Sequence, residues 1–339
     1  MKVDGGVSVD SSLDGIGERA RKQEEQGYDG LWVPETTHDA FTMLPLMAEA
    51  TDQIELGTSI VVGFARNPMS LAYSANDIQL MSRGRFILGL GSQIKPHITR
   101  RFSMEWSRPA ARMREMVLAT KAIWNSWNTG DKLDFRGDFY QHTLMNPLFH
   151  PGENPWGAPR IAIAGVGELM TEVAGEVADV FLGHGIATEK YYREVTIPAL
   201  TRGAERAGRS IDDIAISGTP FIVTGSSEEE MAVAIKGTRQ QIAFYGSTPA
   251  YRCVLECHGW GELQTELNQM SKEGRWEEMG GLIDDEILNA FAVVAEIDDL
   301  AAAVLDRFDD VFHRISFFAA YQFDPTRWLK VMKDLKAQS

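Results

Sequence analysis

A short glycine-rich turn between a strand-like run and a helical pattern is the first place where this sequence could do chemistry. The turn is Ala164-Gly-Val-Gly167, and the helical pattern begins at Glu168. Because free N–H groups at the start of a helix bind anions, Gly165, Val166 and Gly167 are predicted to cradle a phosphate. The alternative is an ordinary strand-to-helix turn, which is favoured if the Glu168 carboxylate faces the same space and repels the anion.

A basic segment is the second candidate. It holds Lys95, Arg100, Arg101, Arg108, Arg112 and Arg114 against a single acid, Glu105. The whole chain carries a formal net charge of −15, so this local excess predicts an anionic ligand. We expect Lys95 and Arg100 to contact that ligand, and Arg112 and Arg114 to be ordinary helix residues. The alternative is a solvated loop whose charges are balanced elsewhere.

Small residues end two β-branched runs upstream of the turn. The first run, Ile54–Val62, contains Thr58, Ser59 and Ile60, and the second ends in Gly89-Leu-Gly-Ser92. Parallel strands with small residues at their carboxyl ends let a flat, phosphate-bearing cofactor approach the backbone. Gly89, Gly91 and Ser92 are therefore candidates to contact a cofactor. An ordinary barrel strand and a tight turn remain the alternatives.

Composition and charge exclude several function classes. With 339 residues and a net charge of −15, the chain is not expected to bind nucleic acid or an anionic membrane. It lacks an apolar run at Met1 like that of a signal peptide and any run long enough for a membrane helix, so a cytoplasmic protein is expected. Cys253, Cys257 and His258 are too few ligands for a metal site, and none is predicted.

Strand-like and helical segments alternate along the chain. Strand-like runs are Val3–Val7, Tyr28–Pro34, Ile54–Val62, Arg85–Leu90, Arg160–Ala164, Val180–Leu182, Ile214–Val223 and Arg314–Ala319. Helical patterns are Ser12–Gly27, Phe41–Thr51, Pro68–Ser82, Pro109–Trp127, Leu169–Val177, Glu189–Ala207, Ser227–Phe244, Ile297–Arg307 and Pro325–Ala337. This alternation predicts a single (β/α)8 TIM barrel domain over residues 1–339, with a doubly wound sheet as the less favoured alternative.

Three segments interrupt the alternation, near residues 92–108, 133–157 and 248–290. The second alternates like a hairpin around Arg136-Gly137. The first and third are positioned to cover the carboxyl-terminal mouth of the barrel, where such loops often act as lids. Trp156, Trp260 and Trp276 could line an apolar substrate pocket there, although aromatic residues in inserts are usually packing residues.

The sequence resembles the luciferase-like monooxygenase superfamily, and within it the oxidoreductases that depend on the deazaflavin coenzyme F420. The resemblance rests on the order and spacing of several motifs, which are Gly27–Glu35, Leu56–Ile60, Asn67-Pro68, Gly84–Gly91, Ala162–Gly167 and Ala174–Leu182. It covers most of the chain. It implies a (β/α)8 barrel with flavin or deazaflavin at the carboxyl-terminal mouth, in agreement with the alternation.

The resemblance also assigns roles to cofactor-binding residues. Members of the superfamily often have a non-prolyl cis peptide beneath the cofactor ring, and here that bond would be Ser59–Ile60. Residues Thr58, Ser59, Ile60, Gly89, Gly91 and Ser92 would then lie near the ring or its ribityl chain. The phosphate would lie at the turn 165–167, and Lys95 and Arg100 would face the oligoglutamate tail.

Glu35 and His38 follow the second strand, where relatives carry residues that handle a substrate proton. A histidine titrates near neutral pH, which suits that role. The spacing departs from the Asp-His pair of the sugar-phosphate dehydrogenase relatives. In the alternative, Glu35 bonds a backbone amide and His38 caps the next helix. His97 and His184 are further mouth candidates, with structural or solvated histidines as their alternative.

The leading interpretation is an oxidoreductase that uses F420 for hydride transfer on an unidentified small organic substrate. An FMN-dependent monooxygenase of the same fold is the alternative, and a non-catalytic flavin-binding relative is the third. Many relatives are dimers, so a homodimer is expected.

Overall fold

The computed structural model describes residues 1–6, 13–322 and 324–338. Its strands are β1 (Lys2–Gly6), β2 (Gly30–Val33), β3 (Glu55–Thr58), β4 (Val61–Val62), β5 (Phe86–Gly91), β6 (Phe135–Arg136), β7 (Gln141–His142), β8 (Arg160–Gly165), β9 (Val180–Gly183), β10 (Ala215–Gly218), β11 (Phe221–Val223), β12 (Ala292–Val294) and β13 (Arg314–Ile315). Eight of them pair in parallel in the order β3, β2, β1, β13, β10, β9, β8, β5, and a β3–β5 pairing closes the ring. The predicted (β/α)8 barrel is confirmed.

Helices surround this ring. They are α1 (Ile16–Gln26), α2 (Ala40–Ala50), α3 (Pro68–Met81), α4 (Pro109–Thr129), α5 (Glu168–Val177), α6 (Glu189–Tyr191), α7 (Ile197–Arg206), α8 (Glu228–Gly246), α9 (Arg252–Cys257), α10 (Gly261–Lys272), α11 (Trp276–Met279), α12 (Asp285–Phe291), α13 (Leu300–Phe308) and α14 (Pro325–Gln338). A π-helical turn, Tyr192–Thr196, joins α6 to α7. Local sequence sets several ends: Asn67 caps α3 by accepting from the Ser70 amide, and α1 ends at Gly27 with a φ of 94°.

Three predicted strands differ from the observed ones. The run Ile54–Val62 is divided into β3 and β4, and Ile214–Val223 is divided into β10 and β11. Pro220 lies at the second division and has no N–H to donate to a ladder; β11 then pairs with β12 outside the ring. The last predicted strand is shortened to β13. Val7 and Ser12, which bounded the first predicted strand and helix, lie outside the described residues.

The three predicted inserts have different structures. Residues 92–108 contain one π-helical turn, His97–Arg101. In the second insert β6 and β7 form an antiparallel hairpin, with Arg136 opposite Gln141, which confirms the hairpin prediction. The third insert is mainly helical and contains α9, α10 and α11.

A buried ionic network fills the floor of the barrel, at the amino-terminal ends of the strands. Arg314 donates to both oxygens of Asp4, at 2.8 and 2.7 Å, and also bonds to Glu55. Glu55 accepts a further bond from Arg160 at 2.5 Å, and the Trp32 indole donates to Asp4 at 2.8 Å. The side chains of Arg314 and Asp4 are 3% and 0% exposed. The floor is therefore occupied by paired charges and offers no unpaired group to a ligand among these residues.

Above the floor, the barrel interior is lined by apolar residues. They are Trp32, Ile87, Ala162, Val180 and Leu182, with Ile60, Ala164 and Ala215 packed against them. Beyond Ile87, the residues of β5 that share its inward face are Gly89 and Gly91.

The floor network predicts a specific acid sensitivity. Burial alone would raise the pKa of Glu55 from its ordinary 4.5, but Arg314 and Arg160 outweigh burial and lower the pKa to about 2. A lowered folded-state pKa means that ionised Glu55 stabilises the fold above about pH 4.5 and that this contribution is lost as the pH falls toward 2. Between about pH 6 and pH 3, the loss is expected to be about 1–2 kcal/mol.

The measurement is urea unfolding at both pH values. In Glu55→Gln, the fall in unfolding free energy between them should be smaller than in the wild type by that amount. Glu262→Gln, at a side chain that is 95% exposed, is the control and should keep the wild-type fall. An equal fall in all three proteins contradicts the assignment.

Candidate active site at the barrel mouth

A bulge in the strand formed by β3 and β4 marks one side of the mouth. Gly57 pairs with Ile87 and Val61 pairs with Leu90, so the β3–β4 strand has one residue more than β5 between these pairs. The extra length lies at Ser59–Ile60, whose peptide bond is cis, as the resemblance implied. The Ser59 amide donates to the Val33 carbonyl at 2.9 Å. The bulge is thus fixed against the end of β2.

Gly89 and Gly91 let β5 approach this bulge. A Cβ at Gly89 would overlap the carbonyl oxygen of Thr58, and a Cβ at Gly91 would lie 2.7 Å from Cγ1 of Ile60. The Thr58 hydroxyl completes the contact, since it donates to the Gly89 carbonyl at 2.7 Å and accepts from the Gly89 amide at 2.8 Å. Close packing against the bulge therefore requires glycine at both positions, in addition to the cofactor contact expected from the sequence.

The turn 165–167 has the geometry of an anion cradle. Gly167 is the N-cap of α5, it offers no side chain to the free amides, and no described atom lies within 4 Å of the position a Cβ would take. Glu168 points away, because its carboxylate accepts from Arg202 at 2.9 Å. The Tyr191 hydroxyl donates to the Val166 carbonyl at 3.0 Å and holds the turn in place. The free amides therefore face a space without a repelling charge from Glu168.

Unpaired positive charge in the basic segment is confined to few residues. Arg112 and Arg114 are structural: Arg112 donates to Tyr140 at 3.0 Å, and Arg114 forms a two-pronged ion pair with Glu176. Within the described residues, Lys95 and Arg100 are exposed and form no ion pair. These two side chains are free to meet an anionic ligand.

A groove of about 1110 Å³ begins beside the cradle and runs along α5, between that helix and the first turns of α4. Its lining includes Gly167, Leu169, Tyr191 and Cys253. This groove gives a ligand bound at the cradle room to extend along the outer rim.

The predicted proton-handling residues have different surroundings. Oε2 of Glu35 accepts from the Val62 amide and from Arg66, both at 2.7 Å, so Glu35 ties the end of β2 to the end of β4. This is the backbone-amide alternative considered for Glu35. The cap of α2 is Asp39, which accepts from the Phe41 amide at 2.9 Å. The alternative in which His38 caps that helix is therefore wrong. His38 is half-buried and forms no hydrogen bond to another described residue.

An aromatic cluster covers the other side of the mouth, over the ends of β9, β10 and β13. It contains His184, Phe221, Tyr245, Tyr251 and Phe318. Sequence reasoning named only His184 from this cluster. The positions of Phe221 and Phe318 just after strands could have indicated this cluster. The two tyrosines could not be found in this way, because they come from the distant α8 and from the turn before α9.

The three predicted pocket tryptophans lie outside the aromatic cluster, and Trp156 and Trp276 are each half-exposed. Trp156 lies against Gly84, which precedes β5 at the opposite end of the barrel. Trp260 stacks on His258 with 4.6 Å between ring centroids. Trp276 contacts Phe244, at 5.9 Å between centroids, and is half-exposed.

The model of the family described as luciferase-like monooxygenase matches residues 1–314. The chain belongs to the luciferase-like monooxygenase family. Among its relatives, an uncharacterized protein of Mycobacterium tuberculosis strain H37Rv is 51% identical over 324 residues, which cover 95% of each chain. The F420-dependent glucose-6-phosphate dehydrogenase of Amycolatopsis mediterranei is 24% identical over 318 residues, which cover 88% of this chain and 86% of that protein.

The same luciferase-like fold is seen in solved structures. The coenzyme F420-dependent tetrahydromethanopterin reductase of Methanopyrus kandleri superposes with a TM-score of 0.81 over 99% of both chains, at 19% identity. That likeness shows the fold. In the described part of this luciferase-like chain, no cluster of side chains could hold a metal ion, and no helix is long and apolar enough to cross a membrane.

Proposed function

We propose that the protein is an oxidoreductase that binds coenzyme F420 at the barrel mouth and acts on a small organic substrate. The observation that carries the proposal is the uncapped amino terminus of α5, whose free amides face an uncrowded space at the rim. Unpaired Lys95 and Arg100 on the neighbouring insert supply positive charge for an anionic cofactor. F420-dependent relatives on the same fold support the same cofactor.

The residues of one half of the rim fit the parts of that cofactor. Gly165, Val166 and Gly167 would hold its phosphate through their backbone amides. Ile60 and the bulge would support the ring, and Lys95 and Arg100 would attract the anionic tail. When bound, the deazaflavin supplies two-electron hydride chemistry. The protein supplies position, exclusion of water and a group that handles the substrate proton.

Cofactor choice is tested by fluorescence-quenching titrations of the purified protein with F420 and with FMN. We expect saturable binding of F420 that is at least tenfold tighter than binding of FMN, because F420 has the longer anionic tail. Weakening of F420 binding with added salt is expected as well. Tighter FMN binding with oxygen-dependent turnover would support the monooxygenase alternative, and binding of neither would reject a redox role.

Filling the cradle should weaken cofactor binding without unfolding the protein. Gly167 has a φ of −71° and an open Cβ position, so Gly167→Ala introduces a methyl group without backbone strain. We expect the unfolding free energy to change by less than about 0.5 kcal/mol. We expect F420 to bind about tenfold more weakly, because the methyl group occupies the approach to the amides. Unchanged F420 binding would place the phosphate elsewhere.

His38 is the better candidate for the proton-handling group, because Glu35 is engaged with Val62 and Arg66. In His38→Gln, we expect kcat to fall about a hundredfold while F420 affinity stays within about twofold. In Glu35→Gln, we expect a smaller fall together with lower stability, since an ion pair is lost. Steady-state kinetics measure kcat, and quenching titrations measure F420 affinity. If kcat is the same in His38→Gln and the wild type, His38 does not handle the substrate proton.

A further inference from the structure

The half of the rim that the proposed cofactor does not use carries the aromatic cluster. His184 directly follows β9, Phe221 begins β11 just after β10, and Phe318 follows β13. Tyr245 and Tyr251 reach this site from the end of α8 and the turn before α9. Ring centroids are 4.7 Å apart for His184 and Tyr245, 4.8 Å for His184 and Tyr251, and 5.2 Å for Phe221 and Phe318. Phe221 is fully buried, so the half-buried rings of His184, Tyr245, Tyr251 and Phe318 form the apolar surface at these three adjacent strand ends.

The polar members of the cluster are uncharged at neutral pH. Burial lowers the pKa of His184 to about 4, and no neighbouring charge contributes to that shift. Burial, followed by the nearby Tyr245, raises the pKa of Tyr251 to about 12. Burial likewise raises the pKa of Tyr245. Arg252, the cation next to Tyr251 in sequence, is ion-paired with Glu256 at 2.7 Å. The cluster therefore offers no free charge to a ligand.

Hydrogen bonding leaves one proton of the cluster available. The Ile186 amide donates to Nδ1 of His184 at 3.1 Å, so the single proton of the neutral ring is on Nε2. Nε2 lies 3.4 Å from the Tyr251 hydroxyl oxygen and is its donor. The O–H proton of Tyr251 then has no acceptor among the described residues. Tyr251 is half-buried, so its O–H is available to donate to a ligand oxygen that binds on this surface.

We propose that this half of the rim binds an uncharged, flat and mainly apolar substrate whose carbonyl or hydroxyl oxygen accepts a hydrogen bond from Tyr251. His184 is a positioning residue, because it acts on the substrate only through Tyr251. Phosphorylated and carboxylated substrates are disfavoured, since burying an unpaired anion among these rings is costly. The inference rests on the proposed function, because it assumes that the cofactor occupies the opposite half.

Three probes of similar shape test the proposal: acetophenone, its hydrocarbon analogue ethylbenzene, and the anionic 4-acetylbenzoate. Binding is measured by saturation-transfer NMR titration of the full-length protein, with and without F420. We expect acetophenone to bind at least about tenfold more tightly than 4-acetylbenzoate. In Tyr251→Phe, acetophenone should bind about three- to tenfold more weakly, while ethylbenzene binding is unchanged.

The matched control is Tyr28→Phe, which removes a phenol oxygen at the opposite end of the barrel and should change neither affinity. Tight binding of 4-acetylbenzoate, or equal weakening of both neutral probes in Tyr251→Phe, would overturn the proposal. F420 quenching in the same samples separates this inference from the proposed function. If F420 binds but the probes do not show the expected relative affinities, the substrate assignment is wrong. If the probes show those affinities but F420 does not bind, the cofactor assignment is wrong.

Discussion

Gly89→Ala is expected to lower the unfolding free energy by at least about 3 kcal/mol, because the added methyl group would overlap a backbone carbonyl that cannot rotate away. The carbonyl belongs to Thr58, and the two strands involved form the β3–β5 pairing that closes the ring. Relief of the overlap requires the strands to separate at this seam. Urea unfolding measures the loss, and hydrogen exchange should show faster exchange at the Leu56 amide, which donates across this seam to the Arg85 carbonyl.

Gly167→Ala is the matched control for this variant, because it makes the same chemical change at an open position. Equal stability of Gly89→Ala and Gly167→Ala would show that β5 can move away from the bulge at little cost. F420 binding by any folded Gly89→Ala protein should also be weakened, because the bulge faces the proposed ring site. The two glycine variants therefore differ in stability and resemble each other in cofactor affinity.

Arg314→Met is expected to lower the unfolding free energy by about 3–5 kcal/mol, since removing one partner of a buried ion pair leaves the other charge unpaired. Asp4 is fully buried and would lose both bonds from Arg314, and Glu55 would lose one of its two arginines. Urea unfolding at neutral pH is the measurement. F420 affinity of the folded protein should stay within about twofold, because the floor lies at the opposite end of the barrel from the mouth.

Two further variants make the Arg314 result specific. Adding Asp4→Asn to Arg314→Met should recover part of the lost stability, because the unpaired carboxylate is removed. Arg136→Met removes an arginine whose pair with Asp134 is exposed, and it should cost less than about 1 kcal/mol. A loss in Arg314→Met no larger than that in Arg136→Met would show that the floor network contributes little to stability.

The features that could be predicted from the sequence are those determined by residues close together in the chain. The alternation of apolar runs with helical patterns indicated the ring of strands, and the turn 165–167 indicated an uncapped helix terminus. The division at Pro220 was missed, although a proline inside a predicted strand argues against a continuous strand. The family resemblance, rather than any local pattern, led to the cis bond at Ser59–Ile60.

Features that join distant segments could not be predicted in the same way. Asp4, Glu55 and Arg314 meet only because the ring closes, and Asp4 and Arg314 lie at opposite ends of the sequence. The aromatic cluster likewise combines strand ends with a helix end and an insert. No spacing rule connects such residues, since their distances depend on strand order and tilt rather than on the number of residues between them.

The two halves of the rim derive from two consecutive stretches of the chain, with the bulge and cradle before residue 168 and the ring-lined surface after residue 183. A gene encoding this protein could therefore diversify its later stretch, including the insert at 248–290, while inheriting the earlier one intact. Such a division would let relatives vary the proposed substrate side of the rim while they keep the proposed coenzyme site. We therefore expect exchange of that later stretch between family members to change substrate selectivity more than coenzyme affinity.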